Sequence, residues 1–198
     1  MVGKLANDII ISLKVKTKQD VMKAPTDNAE AYEHYLRANY IYDKRENMKD
    51  TEIARGLYKK AIELDDNLIL AKVKLGGTYI ETEDYDEAME IYTHALKQAE
   101  ELDNKWLVAQ SVMSIGLIYK ANRNIKKALD FFTLSYEKYE KYGDRDGMGG
   151  SLLQQGFMQL HMGNYNQALD NEIRSHKIFE EVGNKDYVEL TLFLIGTI

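Results

Sequence analysis

Leu75-Gly76-Gly77-Thr78-Tyr79-Ile80 and, just beyond it, Tyr85-Asp86-Glu87-Ala88-Met89-Glu90-Ile91-Tyr92 decide how this chain reads. Apolar or small residues fall at Ala71, Leu75, Gly76 and Tyr79, which is helical spacing. A second stripe follows at Ala88, Ile91, Tyr92, Ala95 and Leu96. The acidic run Glu83-Asp84-Tyr85-Asp86 separates the two. Gly76 and Ala88 are small, so no bulky side chain holds two helix backbones apart. Tyr79 and Tyr92 are large and fill the space beside them. The unit predicted is a pair of helices in close contact.

Outward from this pair the same residues recur. Gly76, Gly116, Gly156 and Gly196 step by 40 (116−76, 156−116, 196−156). Ala88, Ala128 and Ala168 step with them, and so do the joints Asp103, Gly143 and Gly183. Self-similarity at such a period marks a repeat architecture, in which each unit buries its apolar face on its neighbours. The next unit repeats the logic with Ile115, Gly116, Tyr119, Ala128, Phe132 and Ser135. The following one has Gly156, Leu160, Ala168 and Ser175, but Gln159 and Glu172 stand where aromatics stood. Its core is expected to be less well filled. An earlier unit shows in Ala54, Tyr58, Ala61 and Ile62-Glu63-Leu64-Asp65-Asp66-Asn67, and its step to the next is 34 (88−54). The expected organisation is an N-terminal helix and linker over 1–28, units over 29–68, 69–108, 109–148 and 149–188, and a partial unit over 189–198. A repeat array offers an extended surface and usually no catalytic pocket, so a binding scaffold is expected.

These positions resemble the tetratricopeptide repeat family: Leu75-Gly76, Tyr79, Ala88, Tyr92 and Ala95, then Ile115-Gly116, Tyr119, Ala128 and Phe132, with Tyr165-Asn166-Gln167-Ala168-Leu169 later. The resemblance covers about residues 29–198, and the longer units resemble the variant with extended second helices. It implies an all-α fold, a right-handed superhelical solenoid of antiparallel helix pairs. It also implies protein or peptide binding in a concave groove lined by the first helix of each pair. On this chain that groove would be lined by Tyr32, Tyr35, Asn39 and Tyr42, by Val73, Gly77 and Ile80, by Gln110, Met113, Leu117 and Lys120, and by Leu153, Phe157 and His161. Such a row is apolar and aromatic for a solvated face, and a contiguous apolar patch generally marks an interaction site. Packing between neighbouring first helices explains Leu117 and Leu153 better than it explains Tyr35, Tyr42, Ile80 and Phe157 together. Chaperone-binding members hold a terminal carboxylate with lysines, asparagines and an arginine. Only Asn39 matches that set, since Tyr35, Lys74, Gln110 and Ser114 occupy the other positions. An apolar or amphipathic segment laid in the groove is the better expectation.

Composition narrows the classes further. The net charge is −6 and the pI about 5.3, which argues against a nucleic-acid backbone as partner. Cysteine is absent, so there is no disulfide framework and no thiolate metal site. The single proline, Pro25, precedes the first unit. Ile9-Ile10-Ile11 and Leu192-Phe193-Leu194-Ile195 are far too short to span a membrane. No long apolar stretch of a signal peptide opens the chain, and the expected location is the cytoplasm.

Nothing in the sequence points to catalysis, a cofactor or a metal. His34, His94, His161 and His176 lack paired ligand spacing. Ser111, Ser135, Ser151 and Ser175 occupy small-residue positions of the repeat. Gly143-Asp144-Arg145-Asp146-Gly147-Met148-Gly149-Gly150 aligns with the other joints, so it reads as a turn rather than a phosphate or calcium loop. Its extra glycines are expected to loosen the helix that follows.

The two ends depart from the pattern. Leu5, Ile9 and Leu13 stand at helical spacing, and Leu13-Lys14-Val15-Lys16-Thr17 alternates like a strand. With Pro25-Thr26-Asp27-Asn28 and Ala31-Tyr32-Glu33-His34-Tyr35-Leu36-Arg37-Ala38, this stretch resembles the junction of bacterial signalling proteins in which a TolB-like domain precedes tetratricopeptide repeats. An ordinary N-terminal capping helix is the other reading. At the far end Leu190, Thr191, Leu192, Leu194, Ile195 and Gly196 continue the first-helix pattern. Leu192, Phe193, Leu194 and Ile195 would lack their cover, which predicts either a longer array or a homodimer through this end. Two functions follow: a protein-binding scaffold or sensor module of a larger bacterial signalling protein, or a structural module through which its parent self-associates.

Overall fold

The computed structural model of the protein describes residues 25–196. The helix expected around Leu5, Ile9 and Leu13, the strand-like Leu13–Thr17 and the bulk of the TolB-like junction lie outside the described residues. The described residues form an all-α fold without strands: α1 (Ala29–Asp43), α2 (Met48–Leu64), α3 (Ile69–Glu81), α4 (Tyr85–Glu101), α5 (Lys105–Ala121), α6 (Ile125–Tyr142), α7 (Arg145–His161), α8 (Tyr165–Val182) and α9 (Lys185–Ile195). They divide into two compact units, one ending at Ala71 and one beginning at Lys72.

In the first unit α1 packs on α2. Asn28 is the N-cap of α1, its side chain accepting from the backbone N–H groups of Glu30 and Ala31. Its Nδ2 donates to the Leu64 carbonyl at 2.9 Å, and the Thr26 hydroxyl donates to Asp65. The entry to α1 is thereby tied to the end of α2. Ala31, Ala38, Ala54 and Ala61 are buried, and Tyr58 is the large side chain enclosed with them.

In the second unit each helix from α4 to α9 packs on the next, and α5 also touches α7. The spacing of the joints is finer than the glycines suggest. Left-handed backbone occurs at Glu83, Asp103, Arg123, Gly143, Gly163 and Gly183, with φ of 61, 48, 56, 86, 76 and 75°. Successive members step by 20 (103−83 through 183−163). Each of the six joints from α3 to α9 therefore uses the same device, and half of them use a residue other than glycine. Glycine adopts this conformation freely, whereas a residue with a Cβ is strained there by about 1–2 kcal/mol.

The period of 40 has a steric cause. A Cβ on Gly76 would lie 2.6 Å from Tyr92 Cζ, and one on Gly116 would lie 2.7 Å from Phe132 Cε1. The ring of each second helix rests on the bare backbone of its partner. At Gly156 the same place is taken by Glu172, whose Oε1 would be 2.3 Å from an added Cβ. Glu172 is 1% exposed. The slot expected to be poorly filled is closed by a carboxyl group. The glycines after Asp144 have their own contacts. They lie within α7, where Gly147 admits the Tyr139 ring and Gly149 faces Phe179 and Ile178. Close packing accounts for these two.

Candidate functional site

The first helices of the second unit carry the candidate face. Met113 and Leu117 on α5 and Phe157 on α7 are half-buried. All three pack against one cluster, the buried Ala128, Phe132 and Met158. Their inner surfaces are held by the core while their outer surfaces meet solvent. The two helices are joined across this face. Ser151 Oγ on α7 lies 4.0 Å from Met113 Sδ. Lys120 Nζ on α5 donates to Gln154 Oε1 on α7 at 2.7 Å and sits 4.8 Å from the centre of the Phe157 ring. Burial lowers the Lys120 pKa from its ordinary value, because the ammonium loses part of its hydration.

The other residues expected along the row are placed as follows. Val73 is 8% exposed and Leu153 2%, so both belong to the core, while Ile80 is half-buried. In the first unit Tyr35 is 9% exposed, and Tyr32, Asn39 and Tyr42 are half-buried. These residues serve one another. Tyr32 stacks on Tyr35 with ring centres 6.1 Å apart. Tyr35 and Tyr42 flank Tyr58 at 6.3 and 6.4 Å, and the Tyr58 hydroxyl donates to Asn39 Oδ1 at 2.8 Å. Burial raises the Tyr58 pKa, with the neighbouring Tyr35 adding to the effect. Asn39, the single match to the chaperone-type clamp, thus holds a tyrosine inside the helix pair. His161 is exposed at the end of α7.

At the C-terminal end Leu192 and Phe193 are 60% and 68% exposed, while Leu194 and Ile195 are half-buried. Phe193 keeps the register of Val73, Met113 and Leu153, which step by 40 (113−73, 153−113, 193−153), so it extends the first-helix row.

The pairing of Lys120 with Gln154 is a feature that the sequence reading did not isolate. Its trace is nonetheless present, since the row Ile80, Lys120, Leu160 is apolar except at its centre. Among the described residues, no group of three or more His, Cys, Asp or Glu could hold a metal ion, and no helix is long and apolar enough to cross a membrane.

Comparison with known proteins locates this architecture. The tetratricopeptide repeat family model matches residues 66–141. No curated protein matches the sequence. Among solved structures, the apo form of RapI is 20% identical, with a TM-score of 0.68 over 99% of this chain and 70% of its own. A Rap protein in complex with competence and sporulation factor is 17% identical, with a TM-score of 0.72 over 96% of this chain and 52% of its own. A signal transduction ATPase with a tetratricopeptide repeat sensor, from Pyrococcus horikoshii, is 20% identical, with a TM-score of 0.72 over 84% of this chain and 26% of its own. At these identities the likeness is one of fold. Residues 66–141 carry the tetratricopeptide repeat signature, and the chain has a tetratricopeptide-like, all-α solenoid fold.

Proposed function

We propose that this chain is a protein-interaction module whose first-helix face, in the second unit, takes an apolar or amphipathic peptide segment. The observation that carries the reading is the contiguity of Met113, Leu117 and Phe157, half-buried on one core cluster. Large apolar side chains that are fixed from below and open above are pre-ordered for contact, so binding costs little additional side-chain freedom. The similar structures support the class: one Rap protein is bound to competence and sporulation factor, and the Pyrococcus horikoshii protein has a tetratricopeptide repeat sensor. The resemblance around Pro25–Ala38 supports placing the module in a larger bacterial signalling protein. Self-association through α9 is the second reading, favoured by the exposure of Leu192 and Phe193.

A random peptide library displayed on phage and panned on the immobilised chain tests the first reading. Selected peptides, once synthesised, are expected to bind at least about tenfold more weakly to Phe157→Ala, since burying such a side chain contributes roughly 1.5–3 kcal/mol. Lys97→Glu on the exposed side of α4 should leave affinity unchanged. Binding that survives Phe157→Ala but is lost with Lys97→Glu places the site on the wrong surface.

A further inference from the structure

The largely apolar row of the second unit carries a lysine. Lys120 on α5 lies over the ring of Phe157 on α7, and Ile80 and Leu160 hold the same place in the neighbouring repeats. Its Nζ is satisfied by a single neutral acceptor, Gln154 Oε1. No carboxylate of the described residues pairs with it, although the whole chain has 32 acidic residues against 26 basic. An ammonium has three donors, so two remain for water or a ligand. Because Gln154 accepts from the lysine through Oε1, its Nε2 faces no such demand, and it has no protein partner among the described residues. Two donors of fixed position therefore meet in the last turn of α5, beside the Phe157 ring. The ammonium has lost hydration and gained only a ring face and an amide oxygen in return. An anion completes this arrangement.

We propose that the segment recognised by this face carries a side-chain carboxylate, of aspartate or glutamate, that docks on Lys120 Nζ and Gln154 Nε2 between apolar residues packed on Met113, Leu117 and Phe157. The inference rests on the peptide-binding reading above and adds the chemistry of the ligand. A side chain rather than a chain end is favoured by the kind of donor. Both donors are side-chain groups at one point beside the Phe157 ring, whereas capture of a terminus uses backbone nests around a chain end. The apolar residues provide most of the buried area, and the carboxylate fixes register and rejects basic segments.

The test uses the full chain and peptides from the same phage selection, synthesised with acetylated and amidated ends so that no terminal charge contributes. Peptides selected by the wild type are expected to share an acidic residue flanked by apolar ones. Replacing that residue with its amide should weaken binding to the wild type about tenfold, as expected for a charge-assisted hydrogen bond. The same replacement should have no effect on Lys120→Met, which keeps the aliphatic stem and removes the charge. Lys120→Arg should retain most of the affinity. Should Lys120→Met fail to fold, as judged by its circular dichroism melt, the amide replacement measured on the wild type and on Lys120→Arg still decides. Equal affinity of acid and amide peptides for the wild type overturns the proposal, as does an equal loss on Lys120→Met. Peptides that need Phe157 but no acid overturn this inference alone. Peptides indifferent to Phe157, or a selection that yields none, overturn both readings.

Discussion

Glu172 shows how much one residue can alter in a repeat. Tyr92, Phe132 and Glu172 occupy one slot in successive units, stepping by 40 (132−92, 172−132). Tyr92 and Phe132 each lay a ring on a glycine. Glu172 fills the same slot with a carboxyl whose Oε2 has no hydrogen-bond partner. Burial raises its pKa from 4.5 to about 7. The direction of the pH effect follows. Between these values the folded state keeps a proton that the unfolded chain releases, so this group's contribution is full below 4.5 and is lost as pH rises through about 7. The difference is of the order of 3 kcal/mol. Glu172→Gln keeps the shape without the charge. Its urea denaturation midpoint should be higher than wild type at about pH 8 and nearly equal at about pH 4, with the wild-type slope flattened between. A parallel pH dependence in both proteins would show that the carboxyl is solvated after all.

At the scale of the helix pair, the glycines separate into two kinds with opposite expected effects. Gly116 lies under the Phe132 ring, and an added Cβ would be 2.7 Å from it and 3.2 Å from Phe131 Cβ. Gly56 is also inside a helix, α2, but nothing lies within 4 Å of its Cβ position. Gly116→Ala should therefore destabilise the chain by about 1–3 kcal/mol through overpacking. Gly56→Ala should stabilise it by roughly 0.5–1 kcal/mol, because alanine loses less backbone freedom in a helix. Thermal unfolding of the two variants checks both signs, and destabilisation of equal size in both would remove the distinction. The first kind of glycine was legible in sequence, because a backbone that touches a ring admits no side chain and must recur with the repeat. The joints were only half legible. A left-handed turn recurs at half the glycine period, yet Glu83, Asp103 and Arg123 hide it where glycine is not used. The candidate face was legible as a row but not in depth. Met113 and Leu153 have equivalent places in sequence, yet one is half-buried and the other enclosed. That difference depends on what the adjacent helix places beside each, which the stripe of a single helix does not contain.

Across the molecule, stability is unevenly distributed. α5 and α7 each bury seven or more residues, whereas α9 buries only Thr191. In an array held together by nearest-neighbour contacts, the helix with the fewest opens first. Amide hydrogen exchange should be fastest in Lys185–Ile195 and slowest in the central helices. Repeating the measurement at two protein concentrations also tests self-association. Protection around Leu192 and Phe193 that rises with concentration supports that reading, and protection independent of concentration removes it.

The length of the helices has a consequence for what can be recognised. Met113 and Lys120 are two turns apart on α5 (120−113), which at about 1.5 Å per residue is roughly 10 Å. An extended chain covers that distance in about three residues, and a helical one needs about seven. A ligand lying along α5 should thus place its acid three positions from an apolar anchor if it binds as a strand, or two helical turns away if it binds as a helix. The spacing found in selected sequences would report the conformation of the bound segment before any complex is seen.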